Sequence, residues 1–148
     1  MAQTGTVSGQ VPALEGWFTW PPSARPALLG SRCKKCGDYF FPPVGVCRNP
    51  NCMGTEVESV QLSRRGKLWT YTINYYQPPP PYVAPTPFVP YATAAIELEK
   101  EKMRVQGMVA SGVNLDTLKI GMEMEVVLEE LYRDGEGRQV ISWKFKPV

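Results

Sequence analysis

Four cysteines fall within twenty residues, as Cys33-Lys-Lys-Cys36-Gly37 and Cys47-Arg-Asn-Pro-Asn-Cys52, and the chain holds no others. A segment this short cannot bury a core of its own, so its thiols have to hold it. In the first arm, glycine directly after the second cysteine lets the backbone turn so that amide N–H groups point at the thiolates, which predicts a tight knuckle. The second arm is longer, Cys-x4-Cys, and Asn49-Pro50 is a turn that can bring both sulfurs to one ion. The leading reading is a zinc ribbon with Cys33, Cys36, Cys47 and Cys52 as ligands. Rubredoxin-like iron, disulfides and reactive thiols are the alternatives. Four thiolates leave no vacancy for water or substrate, so a zinc ion held there is structural.

The 148 residues include no histidine. That removes the commonest general base and every Ser-His or Cys-His nucleophile, so no catalytic residue is assigned and independent catalysis is not expected. Glu97, Glu99, Glu101, Glu129 and Glu130 read as a solvated face, because Glu99 and Glu101 share a turn with two lysines and Glu129-Glu130 precede an exposed hairpin. With 43% hydrophobic residues and a net charge of +2, the chain reads as one soluble globular domain with a short appendage. The run from Leu68 to Ile96 carries no charge, yet seven prolines between Pro78 and Pro90 exclude a transmembrane helix. The first residues show neither a basic region nor an apolar one of the secretory kind, so a cytoplasmic location is expected.

Three regions follow in order. Residues 1–27 form an N-terminal arm, aperiodic at first and then carrying Trp17, Phe18 and Trp20 just before Pro21-Pro22. These rings either pack on the domain or serve as a docking arm. Residues 28–58 hold the cysteines. Residues 59–148 show period-two alternation in short runs: Glu56 to Arg65, Leu68 to Gln77, Tyr91 to Leu98, Met103 to Ala110, Met122 to Tyr132 and Gln139 to Phe145. In the second run Trp69, Tyr71, Ile73 and Tyr75 fall on one face, with Thr70, Thr72 and Asn74 on the other. In the last run Ile141, Trp143 and Phe145 oppose Ser142 and Lys144. Arg65-Gly66, Glu99 to Lys102 and Asp134-Gly-Glu-Gly137 are expected turns, and Asn114 or Asp116 caps a helical turn before Ile120. Five or six strands in this length suggest a small β-barrel, interrupted by an extended proline-rich loop at Pro78 to Pro90.

Cys33-x2-Cys36-Gly37, Phe40-Phe41-Pro42-Pro43, the second cysteine pair and Arg65-Gly66-Lys67-Leu68-Trp69-Thr70-Tyr71-Thr72 occur in an order that resembles the DUF35 family. Pro78-Pro79-Pro80-Pro81-Tyr82, Phe88-Val89-Pro90-Tyr91, Ile96-Glu97-Leu98 and Leu118-Lys119-Ile120-Gly121-Met122 extend the resemblance over roughly Leu28 to Val148. It implies a mainly β fold, a rubredoxin-like zinc ribbon followed by a five- to six-stranded OB-fold barrel. It also implies a role: members of that family are accessory subunits of thiolase-fold enzymes that make or break carbon–carbon bonds in acyl-CoA compounds. Thiolases, 2-benzoylsuccinyl-CoA thiolase among them, and sterol side-chain retro-aldolases are the nearest such enzymes. Pro21, Pro22 and Pro26 leave no room for the N-terminal helix that many members carry.

On that resemblance, the chain is expected to dock on a thiolase-fold catalytic subunit in a hetero-oligomer and to share its acyl-CoA. Arg64, Arg65 and Lys67 would face phosphates, with Tyr75 and Tyr76 beside the CoA arm. The partner surface would include Trp17, Phe18, Trp20, Pro79, Pro80, Tyr82, Phe88 and Tyr91, since prolines pre-extend the loop and aromatic residues anchor interfaces. The rival function is a single-stranded nucleic-acid binder. Charge opposes it: Leu68 to Val148 carries eight basic and ten acidic residues, leaving no evident cationic groove.

Overall fold

Period-two alternation becomes nine strands in the computed structural model, which describes residues 9–85 and 87–148. Residues 1–8 of the expected arm, and Thr86 of the proline-rich loop, lie outside the described residues. Strands β2 (Leu29–Cys33), β3 (Tyr39–Phe40) and β4 (Val57–Gln61) make a small antiparallel sheet in the order β3-β2-β4. Strands β5 (Arg65–Asn74), β6 (Tyr91–Leu98), β7 (Met103–Val109), β8 (Glu123–Arg133) and β9 (Gln139–Pro147) close on themselves. β5 pairs with β6 and β8, β6 with β7, and β9 joins β7 in parallel and β8 antiparallel, so all five form a ring. This is the Greek-key barrel of an OB-fold. The remaining strand, β1 (Gln10–Pro12), runs parallel to the first residues of β9.

The barrel interior takes the apolar face of each strand. Leu68, Ile96, Leu98, Met124, Val126 and Phe145 are almost fully buried, each worth about 1.5–3 kcal/mol of transfer free energy. On the inward face of β6 two small residues, Ala92 and Ala94, precede two large ones, Ile96 and Leu98, and let the barrel close tightly at one end. Between β7 and β8 lies only a 3-10 turn, Leu115–Thr117, capped as expected by Asn114, whose side chain accepts the Asp116 N–H. The Asp134 to Gly137 turn closes the β8–β9 hairpin, and Glu99 to Lys102 joins β6 to β7. Among the described residues, no helix is long and apolar enough to cross a membrane.

Five sequence expectations need correction. Glu56 to Arg65 is not one barrel strand: β4 pairs with β2 as far as Gln61, residues 62–64 cross over, and β5 starts at Arg65. Arg65-Gly66 is therefore strand and not turn. Gly66 is there for close approach, since a Cβ on it would stand 2.5 Å from the Glu97 carbonyl oxygen. A β-bulge between Leu68 and Thr70 turns Trp69 out of the face of Tyr71, leaving it 46% exposed with the Arg104 guanidinium 3.9 Å from its ring centroid. Glu101 is buried and not solvated. On β9, Ser142 and Lys144 are buried as well as Ile141 and Phe145, because Lys144 pairs with Glu129 at 3.3 Å.

Arm, ribbon and barrel meet in one aromatic cluster. Trp17 lies 5.6 Å from Phe41 of the ribbon and 5.8 Å from Trp143 of the barrel, and Phe41 stands edge-on to Trp143 at 5.7 Å. Phe18 bridges to Leu28 and is only 2% exposed. Of the residues expected at a partner surface, Phe18 is thus a core residue, while Trp17 and Trp20 are half-buried against the same cluster.

Candidate functional site

The two cysteine arms meet at the end of the ribbon sheet. Cys33 ends β2, and its sulfur accepts the backbone N–H groups of Lys35 and Cys36 at 3.3 and 3.4 Å. Gly37, with a φ of 83°, turns the chain at the point the sequence pattern required. In the second arm the Cys47 sulfur accepts the Asn49 N–H at 3.4 Å, and the Cys52 N–H donates to the Asn49 carbonyl, so the longer loop folds over itself. Gly54 completes the cradle. A Cβ there would lie 3.1 Å from the Cys33 sulfur and 3.4 Å from that of Cys52, so any larger residue would press on two of the ligands.

The sulfurs form a tetrahedron of the size a metal needs. All four lie within 4.8 Å of one another, with Cys33 to Cys52 at 3.8 Å and Cys36 to Cys47 at 3.7 Å. Zinc–sulfur bonds of about 2.3 Å give edges of about 3.8 Å, whereas a disulfide needs about 2.05 Å. All four thiols are free. The donor set fits zinc. Cys33, Cys36, Cys47 and Cys52 would fill its four positions, and the ion would contribute folding free energy to the ribbon and no reactive water.

Without the metal the thiols differ. The Cys33 thiol is lowered to about 6, chiefly by the Cys36 N–H and, after that, the Lys35 N–H, against the opposing effect of burial. The Cys36 thiol is pushed up to about 12: the Asp38 N–H lowers it most, but burial and the three neighbouring thiols together outweigh that. Four thiolates cannot crowd together unless a cation neutralises them.

The basic cluster Arg64, Arg65 and Lys67 divides. Arg64 is engaged inside the molecule, its Nε on the Pro26 carbonyl at 2.8 Å and its guanidinium on Glu125 at 3.0 Å, and so ties arm to barrel. Arg65 and Lys67 instead line an open hollow of about 680 Å³ with Lys102 and Arg104, opposite Glu97, Glu99 and Glu123. Nothing in the sequence separated Arg64 from its neighbours, because its partners are distant in the chain.

Tyr75 and Tyr76 follow β5 and are 72% and 73% exposed. The loop from Pro78 to Pro90 then leads into β6. Tyr82 stacks on Tyr91 at 5.3 Å, and Phe88 stands edge-on to Tyr91 at 6.3 Å, so three of the expected interface rings brace one another. Burial raises the Tyr82 phenol above its ordinary value, with a further contribution from Tyr91. Pro79, Pro80, Val83 and Val89 are exposed. The loop thus presents an apolar, uncharged surface on a framework of stacked rings.

The carboxylates considered for acid/base chemistry are mostly occupied. Glu97 pairs with Arg104, Glu129 with Lys144, Glu130 with Gln139 and Arg133, and Glu101 with Ser63.

The family models for two ChsH2 domains match in the order of the fold. The model described as the rubredoxin-like zinc ribbon domain matches residues 20–58, and the one described as the C-terminal OB-fold domain matches residues 59–129. A DUF35 domain-containing scaffold protein of Methanocaldococcus jannaschii is 37% identical over 129 residues, covering 84% of each chain. The benzoylsuccinyl-CoA thiolase subunit BbsA of Thauera aromatica is 32% identical over 123 residues, which is 83% of this chain and 78% of that one. Among solved structures, a chain of the Ltp2-ChsH2(DUF35) aldolase superposes with a TM-score of 0.59 at 29% identity, covering 82% of this chain and 84% of the other.

Proposed function

The chain belongs to the ChsH2 family of DUF35 zinc-ribbon/OB-fold proteins, and from that premise we propose that it is an accessory subunit that docks on a thiolase-fold enzyme acting on an acyl-CoA. The observation that carries this reading is the contrast between a chain without histidine, whose candidate carboxylates are mostly held in internal pairs, and the exposed, uncharged surface around Tyr75, Tyr76 and the proline-rich loop. Such a surface suits a partner better than a substrate. Relatives named as a scaffold, a thiolase subunit and a member of an aldolase complex support the same role.

In this reading the partner carries the carbon–carbon bond chemistry, in the cytoplasm, and this chain supplies surface. Arg65 and Lys67 would meet CoA phosphates and Tyr75 and Tyr76 the CoA arm, a reading supported by the open hollow that the two cations line and by the exposure of both rings, while Arg64 holds the N-terminal arm to the barrel. The proline-rich loop, already extended, loses little conformational entropy on docking.

The test is co-purification of the tagged chain with its partner, followed by an acyl-CoA cleavage assay on the separated and recombined subunits. A stoichiometric thiolase-fold subunit whose activity requires this chain establishes the role. Stable isolation with nucleic acid, or turnover of acyl-CoA by this chain alone, overturns it.

A further inference from the structure

Arm, ribbon and barrel each contribute an aromatic ring to one open hollow. It measures about 510 Å³, and its walls include Trp17 of the arm, Phe41 of the ribbon, and Met108, Leu131 and Trp143 of the barrel. Phe41 stands edge-on to Trp17 and to Trp143, at interplanar angles of 75° and 88°, while the two indoles are tilted by 31°. Ring edges and ring faces are thus offered together, the arrangement that aromatic groups pack against. The Trp143 indole N–H is already taken by the Gln106 carbonyl at 2.9 Å, so this wall is apolar. All three rings stay half-buried after folding, and hollows of this volume where domains meet are where small molecules bind.

One charge faces these rings. Among the residues that line the hollow, only Arg104 is charged, and it is held from two sides. Its guanidinium lies 3.9 Å from the centroid of Trp69, whose ring the β5 bulge turns outward, and its Nη2 reaches Glu97 at 3.4 Å. Bulges commonly re-aim a side chain beside a binding site. In the strand register Glu97 stands opposite both Lys67 on β5 and Arg104 on β7, so one positive charge is left over. A long, half-exposed ion pair of this kind also leaves most of the guanidinium fork free. One charge presented as a planar fork matches a carboxylate. A phosphate suits instead the several cations of the adjoining hollow lined by Arg65 and Lys67.

We propose that this hollow binds an aromatic monocarboxylate, its rings against Trp17, Phe41 and Trp143 and its carboxylate on Arg104. The site lies within this one chain, so it stands or falls apart from the accessory-subunit reading. Because each region supplies one ring, a bound acid ties arm, ribbon and barrel together.

The experiment is calorimetric titration of the zinc-loaded, full-length chain with naphthalene-2-carboxylate and with its uncharged counterpart, 2-naphthalenemethanol. The carboxylate is expected to bind with one-to-one stoichiometry, at least tenfold more tightly than the alcohol, and to raise the unfolding temperature. Arg104→Gln is expected to bring the carboxylate down to the affinity of the alcohol and to leave the alcohol unchanged. Gln106 is exposed on β7 and lines the hollow, so Gln106→Trp is expected to keep zinc and thermal stability while abolishing binding of both compounds. A folded wild-type chain that does not bind the carboxylate at millimolar concentration overturns the site. So does a folded Gln106→Trp chain that binds as the wild type does, since the acid then sits elsewhere. Equal affinity for the two compounds, or an Arg104→Gln chain that still prefers the acid, overturns the pairing of carboxylate with Arg104.

Discussion

Glu101, on the turn between β6 and β7, accepts both the backbone N–H of Ser63 at 2.7 Å and its hydroxyl at 3.0 Å, and so fastens the barrel to the crossover that leads from the ribbon. The carboxylate is buried, and the Ser63 N–H belongs to a segment with no strand partner. Glu101→Ala leaves that donor without its acceptor and is expected to cost about 1–3 kcal/mol. Glu101→Gln keeps one acceptor oxygen and is expected to fall between. Urea unfolding of the three chains checks the order. An alanine chain as stable as the wild type would mean that water replaces the carboxylate.

Gly107 on β7 lies directly under the ring cluster that joins the three regions. A Cβ there would stand 2.8 Å from a Phe145 ring carbon and 2.9 Å from the Trp143 Nε1, the nitrogen that donates to the Gln106 carbonyl at 2.9 Å. Neither ring can retreat, since Phe145 is in the barrel core and Trp143 is clamped between Trp17 and Phe41. Gly107→Ala is therefore expected to destabilise the protein by about 1–3 kcal/mol. Tryptophan fluorescence should shift as well, because Trp17 and Trp143 are displaced together. Unchanged emission would place the strain elsewhere.

These positions mark where the sequence could be read and where it could not. Cysteine spacing specified the centre because its chemistry is local: both knuckles are written within a few residues of the sulfurs. The strands of the barrel were legible for the same reason, as were the Asn114 cap and the Asp134 turn. Glu101 and Arg64 looked like surface charges because their partners, Ser63 and Pro26, are each 38 positions away. Trp69 was misplaced by a single extra residue, since a bulge reverses the face of everything on one side of it. The run from Glu56 to Arg65 carries no glycine or proline to mark a break, and only pairing partners reveal that its first half belongs to another sheet.

The β8–β9 hairpin should loosen in acid. Asp134 accepts the backbone N–H groups of Glu136 and Arg138 and the Arg138 Nε, and these hold its carboxyl below the ordinary value, the Arg138 N–H most of all. A carboxyl lowered by folding stabilises the folded form above its unfolded value of about 3.9, and that contribution is lost as pH falls through the lower folded value. Protection factors of the Glu136 and Arg138 amides, which remove the intrinsic pH dependence of exchange, are expected to hold from pH 7 downward and to fall only at the acid end, near pH 3. Asp134→Asn should exchange faster at neutral pH and show a flatter profile. Equal protection in both chains at neutral pH would show that the backbone turn, and not the carboxylate, holds the hairpin.

Metal binding should follow the unequal thiols. At pH 7 the metal-free centre holds Cys33 mostly as thiolate, since its value is about 6, and Cys36 as thiol, since its value is about 12. Zinc taken up at that pH must displace the Cys36 proton, and below pH 6 it must displace the Cys33 proton as well. Affinity is therefore expected to rise with pH throughout, and more steeply below pH 6 than above it. Titration in buffers of different ionisation enthalpy counts the protons released. Cys36→Ser removes one ligand and is expected to lose the metal and lower the soluble yield, with the β2–β4 sheet losing amide protection before the β5–β9 barrel. A serine chain with unchanged metal content and yield would mean that the four sulfurs do not act as one site.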